Sequence, residues 1–132
     1  FPVPSELPLL VLGGTRDGCI ANSGARYGEA EGSATRKVEQ TFDQAITSER
    51  GDCYLGLVEG ANHFSLAYPR DESTGRPFID LATTRPDPDL RQLLGVLIGQ
   101  FVSAVTGRDD SARNRLESLL ERDELIHRSA RR

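Results

Sequence analysis

Two short apolar runs with no polar alternation constrain this chain more than anything else in it. Pro8-Leu9-Leu10-Val11-Leu12 stops at Gly13-Gly14, and Cys53-Tyr54-Leu55-Gly56-Leu57-Val58 stops near the small-residue turn Gly60-Ala61. Runs of this kind fit parallel strands covered on both faces, where neither set of side chains meets water. Between them Val38, Phe42, Ala45 and Ile46 recur at the spacing of one helix face over residues 35–48. Ser33 or Thr35 is placed to cap that helix, and Gly51 follows its end. Strand, helix, strand at this spacing is a βαβ unit, with parallel strands and a right-handed crossover. The fold class expected is therefore α/β.

The remaining segments are read around that unit. Phe1 to Pro8, with Pro2, Pro4 and Pro8, is an extended lead-in, and Ile20 to Gly32 has room for a short helical turn. Phe64 to Pro86 is an irregular connection broken by Pro69, Pro77, Pro86 and the turn Ser73-Thr74-Gly75. Connections longer than ~15 residues are uncommon and often functional. Asp87-Pro88 opens a helix, with Asp as cap and Pro at the first helical position. Its buried face is expected to be Leu90, Leu93, Leu94, Leu97, Ile98, Phe101, Val102 and Val105, with Gly107 at its end. Gly95 and Gly99 lie one turn apart and would let this helix sit close on a sheet, at some cost in helix stability. A last, heavily charged surface helix is expected from about 112 to 129, capped by Ser111. Its apolar stripe is narrow (Leu116, Leu119, Leu120, Ile126), and its arginine-rich end is expected to fray. The sequence carries no internal repeat.

Composition excludes several classes of function. The 132 residues fit one small domain, with a net charge of −4 and a pI near 5.2. There is thus no basic footprint for nucleic acid or an anionic membrane surface. No apolar run approaches the ~20 residues of a membrane span. Lys37 is the only lysine among many arginines, which fits the codon bias of a GC-rich genome. Two cysteines make neither a disulfide framework nor a zinc site. Cys19 and Cys53 fall at opposite ends of the expected sheet, beyond the ~7 Å reach of a disulfide. His63 and His127 stand far apart without clustered partners, so no metal and no other cofactor is suggested. The sequence starts at Phe1 with no methionine and no signal-like segment, so an N-terminus made by cleavage or by the choice of boundaries is expected. Localisation stays open.

Two parallel strands alone make a marginal sheet with unpaired edges. The expectation is that this is half of a domain, with more strands supplied by a preceding segment or a second chain. The motifs agree with that view. A strand running into Gly13-Gly14-Thr15-Arg16-Asp17-Gly18 and a helix is followed by a strand running into Glu59-Gly60-Ala61-Asn62-His63-Phe64 and then an amphipathic helix. Over roughly residues 7–107 this resembles the C-terminal half of an α/β-hydrolase of the dienelactone-hydrolase and esterase-like group. In that family the chain order is nucleophile, acid, histidine. The resemblance implies that Asp17 is the acid and His63 the base of a Ser-His-Asp triad. It implies as partner the N-terminal half of the fold, carrying Gly-x-Ser-x-Gly, and as substrate a small molecule with an ester, lactone or similar acyl bond. No Gly-x-Ser-x-Gly occurs in these 132 residues.

Other readings of the same residues stay open. Asp17-Gly18 is also a common turn pair, and a loop histidine is often only polar surface. Asn62 and Phe64 flank His63 and are assigned no chemistry. The glycine-rich loop 13–18 lacks the Gly-Lys-Ser/Thr ending of a phosphate loop. Cys19 is the one conceivable internal nucleophile, but it lacks the strand–turn–helix context that would expose it. His127 is expected on solvated surface. Two further functions stand beside the hydrolase: a non-hydrolytic protein of the same fold using the Asp/His pair otherwise, and a standalone α/β interaction module in which the pair is incidental.

Overall fold

The computed structural model describes residues 3, 4, 6–25, 32–69 and 79–132. Strand β2 (Cys53–Val58) is buried at all six positions, and the architecture follows from how that burial is achieved. Strand β1 (Leu9–Gly14) lies parallel on one side of it, with Leu9 opposite Cys53 and Gly14 opposite Val58. Strand β3 (Ile126–Arg131) lies antiparallel on the other side, giving the order β1-β2-β3. The four helices among the described residues are α1 (Gly18–Ala25), α2 (Arg36–Ala45), α3 (Asp87–Thr106) and α4 (Asp110–Arg122).

Side chains alternate across a strand, so β2 feeds two cores. Tyr54 and Val58 pack with Leu90, Leu93, Leu94 and Leu97 of α3 and with Leu116 and Leu120 of α4. Cys53, Leu55 and Leu57 face the other way, onto Phe42 and Ile46 at α2. Leu10 and Leu12 of β1 join the first cluster, and Leu9 and Val11 the second. The apolar runs lack alternation because both faces of the sheet are covered. The domain is a small mixed α/β unit, and the parallel β1–β2 pair is as the sequence predicts.

The C-terminal part departs from expectation. The charged helix ends at Arg122 instead of near residue 129, and Asp123 turns the chain: Leu125 N–H donates to Asp123 Oδ1 at 2.9 Å. The segment expected to fray is strand β3. Its arginines are tied down: Arg131 Nε donates to Gly51 O at 2.6 Å, Arg131 pairs with Glu117 at 3.0 Å, and Arg128 pairs with Glu39. Arg132 donates to the carbonyls of Asp43 and Ile46, both at 3.0 Å. The chain thus supplies from its own C-terminus the neighbour that β2 was expected to need from elsewhere. Among the described residues the outer edges of β1 and of β3 have no strand partner in this sheet.

Smaller corrections have local causes. Asp109, not Ser111, caps α4, its Oδ1 accepting from Ser111 N and Ala112 N. Asp87 lies inside α3 with its carboxylate taken by Thr83 Oγ1 at 2.9 Å, and Pro86 holds the cap position without a side-chain bond. Ser33 Oγ accepts from Arg36 N at 3.1 Å before α2. Ile98 and Val102, expected inside, are 38% and 49% exposed. Gly95 and Gly99 face open space, with nothing within 4 Å of where a Cβ would stand. The close helix–sheet approach is made from the strand instead: a Cβ on Gly56 would meet Leu120 Cδ2 at 2.9 Å. In the lead-in, Val3 bridges to Ile46. The end of the segment 20–32 beyond Ala25, up to residue 31, and the turn Ser73-Thr74-Gly75 with Pro77 lie outside the described residues. No helix among the described residues is long and apolar enough to cross a membrane.

Candidate functional site

The register of β1 and β2 sets the site. Because Gly14 pairs with Val58, both chains leave the sheet at the same level and run side by side over its C-terminal edge, where ligands collect in α/β sheets. Backbone bonds sew the two loops together: Thr15 N to Val58 O at 3.0 Å, and Arg16 N to Ala61 O at 2.8 Å. Gly60, at φ +79, donates its N–H to Thr15 Oγ1 at 2.8 Å. Gly14 is where the loops touch, since a Cβ there would stand 2.2 Å from Ala61 O. The obstacle is backbone, which cannot rotate away. Gly14→Ala is therefore expected to destabilise the domain by about 1–3 kcal/mol or more, read as a lowered denaturant midpoint with an unchanged slope.

This arrangement brings Asp17 and His63, 46 residues apart in sequence, into contact: His63 Nδ1 lies 3.0 Å from Asp17 Oδ2. Their surroundings differ. The Asp17 side chain is 11% exposed and that of His63 is 47% exposed. Asp17 Oδ1 accepts from Ile20 N at 2.8 Å, so the same carboxylate caps α1 and is held in place by it. An ionised carboxylate only accepts, so a neutral imidazole must carry its proton on Nδ1. Nε2 is then left with a free lone pair.

Three further side chains fix the histidine loop. Asn62 is buried; its Oδ1 accepts from Phe64 N at 3.1 Å and its Nδ2 donates to Leu81 O at 2.8 Å. Ser65 Oγ accepts from Asn62 N at 2.8 Å. The Phe64 ring meets the imidazole edge-on, with centroids 5.4 Å apart. Asp80 is the residue that sequence reasoning missed. Its Oδ2 accepts from His63 N at 3.0 Å and its Oδ1 from Gly18 N at 2.7 Å, joining the acid loop to the base loop. Nothing local marks it, because its partners are 17 and 62 residues away.

A cleft of about 280 Å³ opens at the pair, lined by Asp17 and His63 together with Leu12, Ile20, Val38, Leu66 and Leu94. Leu66, from the connection after His63, contributes directly to it. Cys19 is partly exposed, and its thiol is pushed up from its ordinary value by burial first and then by the nearby Asp80 and Asp17 carboxylates. That is the opposite of what a nucleophilic cysteine needs. Cys53 is buried at the far end of β2, and both thiols are free. His127 lies on β3 and not on a helix, with Nδ1 3.0 Å from Glu59 Oε2 at the surface.

Fold and site together define a small mixed α/β domain that carries an Asp–His hydrogen-bonded pair on the ends of two adjacent parallel strands. Compared with known protein families, curated proteins and solved structures, the chain finds no match in any of the three.

Proposed function

We propose that this chain is the acid/base-bearing part of a serine hydrolase of the α/β-hydrolase fold that cleaves an ester, lactone or similar acyl bond. The observation that carries the reading is the 3.0 Å contact between Asp17 Oδ2 and His63 Nδ1 at the carboxyl edge of a parallel strand pair. The outer edge of β1, without a strand partner among the described residues, and the exposed Ile98 and Val102 of α3 fit a partner half that covers them and brings Gly-x-Ser-x-Gly. In this reading His63 Nε2 takes the proton of the partner's serine as its oxygen attacks the acyl carbon, then returns it to the leaving group. Asp17 holds the imidazole in the needed tautomer and stabilises the imidazolium. The apolar walls of the cleft suit a hydrophobic acyl or alcohol group, and no cofactor takes part.

The test is isolation of the native assembly, intact mass of every chain in it, and labelling with a fluorophosphonate probe. A co-purifying polypeptide with Gly-x-Ser-x-Gly should be labelled at that serine, and His63→Ala should abolish the labelling. A folded, monomeric 132-residue chain that neither recruits such a partner nor reacts with the probe would overturn the proposal. It would leave the interaction-module reading. A partner whose elbow serine is replaced would favour the non-hydrolytic alternative.

A further inference from the structure

The fold assembles a donor set that the spacing of the histidines does not suggest. Asp17, Cys19 and His63 each offer one ligand atom, and these atoms all lie within 4.8 Å of one another. Asp17 is fixed at the start of α1 by its bond from Ile20 N, and Cys19 stands in the first turn of that helix. His63 reaches them from the other loop. We propose that these three side chains bind one thiophilic divalent cation, of the Zn²⁺ class, at the C-terminal edge of the sheet.

The choice of metal follows from the donors. One sulfur, one nitrogen and one carboxylate oxygen suit zinc-like ions, whereas calcium and magnesium want oxygen ligands in larger number. Three protein ligands leave a fourth position for water or substrate, as in zinc sites that are not purely structural. Around a tetrahedral zinc the ligand atoms stand roughly 3.5 Å apart, given metal–ligand lengths of about 2.0–2.3 Å. Closing from within 4.8 Å asks for about an ångström of movement. The half-exposed His63 ring and the partly exposed Cys19 can supply it by rotation, while Asp17 stays in place. Asp80 acts electrostatically on Cys19 together with Asp17, so a second carboxylate adds to the field that draws a cation. On binding, the cation displaces the thiol proton to solvent and takes His63 Nδ1, the nitrogen that faces Asp17, so the ring proton sits on Nε2 instead. His63 then has no lone pair left for a serine. If the hydrolase reading holds, the cation is therefore an inhibitor, and that consequence alone rests on it.

The experiment is a titration of the purified native protein with Co²⁺, followed in the near ultraviolet, and with Zn²⁺ by calorimetry. One equivalent of Co²⁺ should give a thiolate-to-cobalt charge-transfer band, and Zn²⁺ should remove it by displacement. Cys19→Ser should abolish the band, and His63→Gln should weaken Zn²⁺ binding tenfold or more. His127→Gln, at the other histidine, should leave both unchanged. Circular dichroism confirms that each variant is folded, and either ligand variant suffices to decide. Absence of the band in the unaltered protein, its persistence in Cys19→Ser, or Zn²⁺ affinity in Cys19→Ser and His63→Gln equal to that of the unaltered protein would each overturn the site. The readout needs neither serine nor acyl substrate. Failure of fluorophosphonate labelling with an intact band, or the converse, therefore separates the two proposals.

Discussion

Under the proposed hydrolase function, Asp17→Asn is expected to lower turnover of an activated ester by the assembled protein about 10⁴-fold while leaving the fold in place. The substitution separates the two jobs of one carboxylate. Asparagine is as good a helix cap as aspartate, so the bond from Ile20 N to position 17 survives and α1 keeps its start. What changes is the other oxygen, which now lies 3.0 Å from His63 Nδ1 and accepts from it. An amide can present its NH₂ group there, which turns the imidazole to the tautomer with Nε2 protonated and unable to act as base. Turnover measured beside a thermal melt decides the matter. A large loss of rate with a melting temperature changed by no more than a few degrees supports the role. An unchanged rate would mean that Asp17 serves only as a cap. A rate lost together with the melt would make it structural.

Deletion of residues 123–132 is expected to remove the cooperative thermal transition altogether. The deletion takes away β3 and with it the antiparallel ladder from Tyr54–Arg131 to Val58–Ile126. The arginine ties to Gly51, Asp43 and Ile46 go as well, as does Arg128 on Glu39. Strand β2, buried at every position, would then sit at an open edge, and exposed apolar edges template association. A two-stranded sheet is marginal by itself, and a small domain has only about 5–15 kcal/mol of net stability to lose. A calorimetric scan and light scattering of the shortened chain give the answer. A frayed surface tail would leave the melt untouched, and that result would place β3 outside the stable core.

The two strands that position the candidate pair were legible because both of their faces are covered, β2 fully and β1 in part. Burial on both faces leaves its mark on every residue, and Leu9 to Leu12 and Cys53 to Val58 show it. Asp17 and His63 could be read as neighbours because parallel strands joined by a helix end on the same edge. Their contact needs little beyond the register. Strand β3 was not legible. Ile-His-Arg-Ser-Ala-Arg has charge and small residues where strands usually show β-branched or aromatic ones. Its pairing rests on an edge of β2 and on carboxylates and carbonyls far along the chain, among them Glu39, Asp43 and Glu117. Asp80 was hidden for the same reason.

What the sequence determined by itself is the set of elements whose signal is periodic and local: a βαβ unit, a long apolar helix after Pro86, and an aspartate and a histidine at two strand ends. Hydrophobic spacing carries that information because it reports which faces leave water, and each face is written within a few residues. Only the tertiary structure decided how the sheet is completed, which carboxylate joins the two loops, and which third donor meets the pair. Each of those depends on groups tens of residues apart finding geometric and charge complements. No local pattern encodes such a match, because the free energy that selects it exists only once the chain has folded.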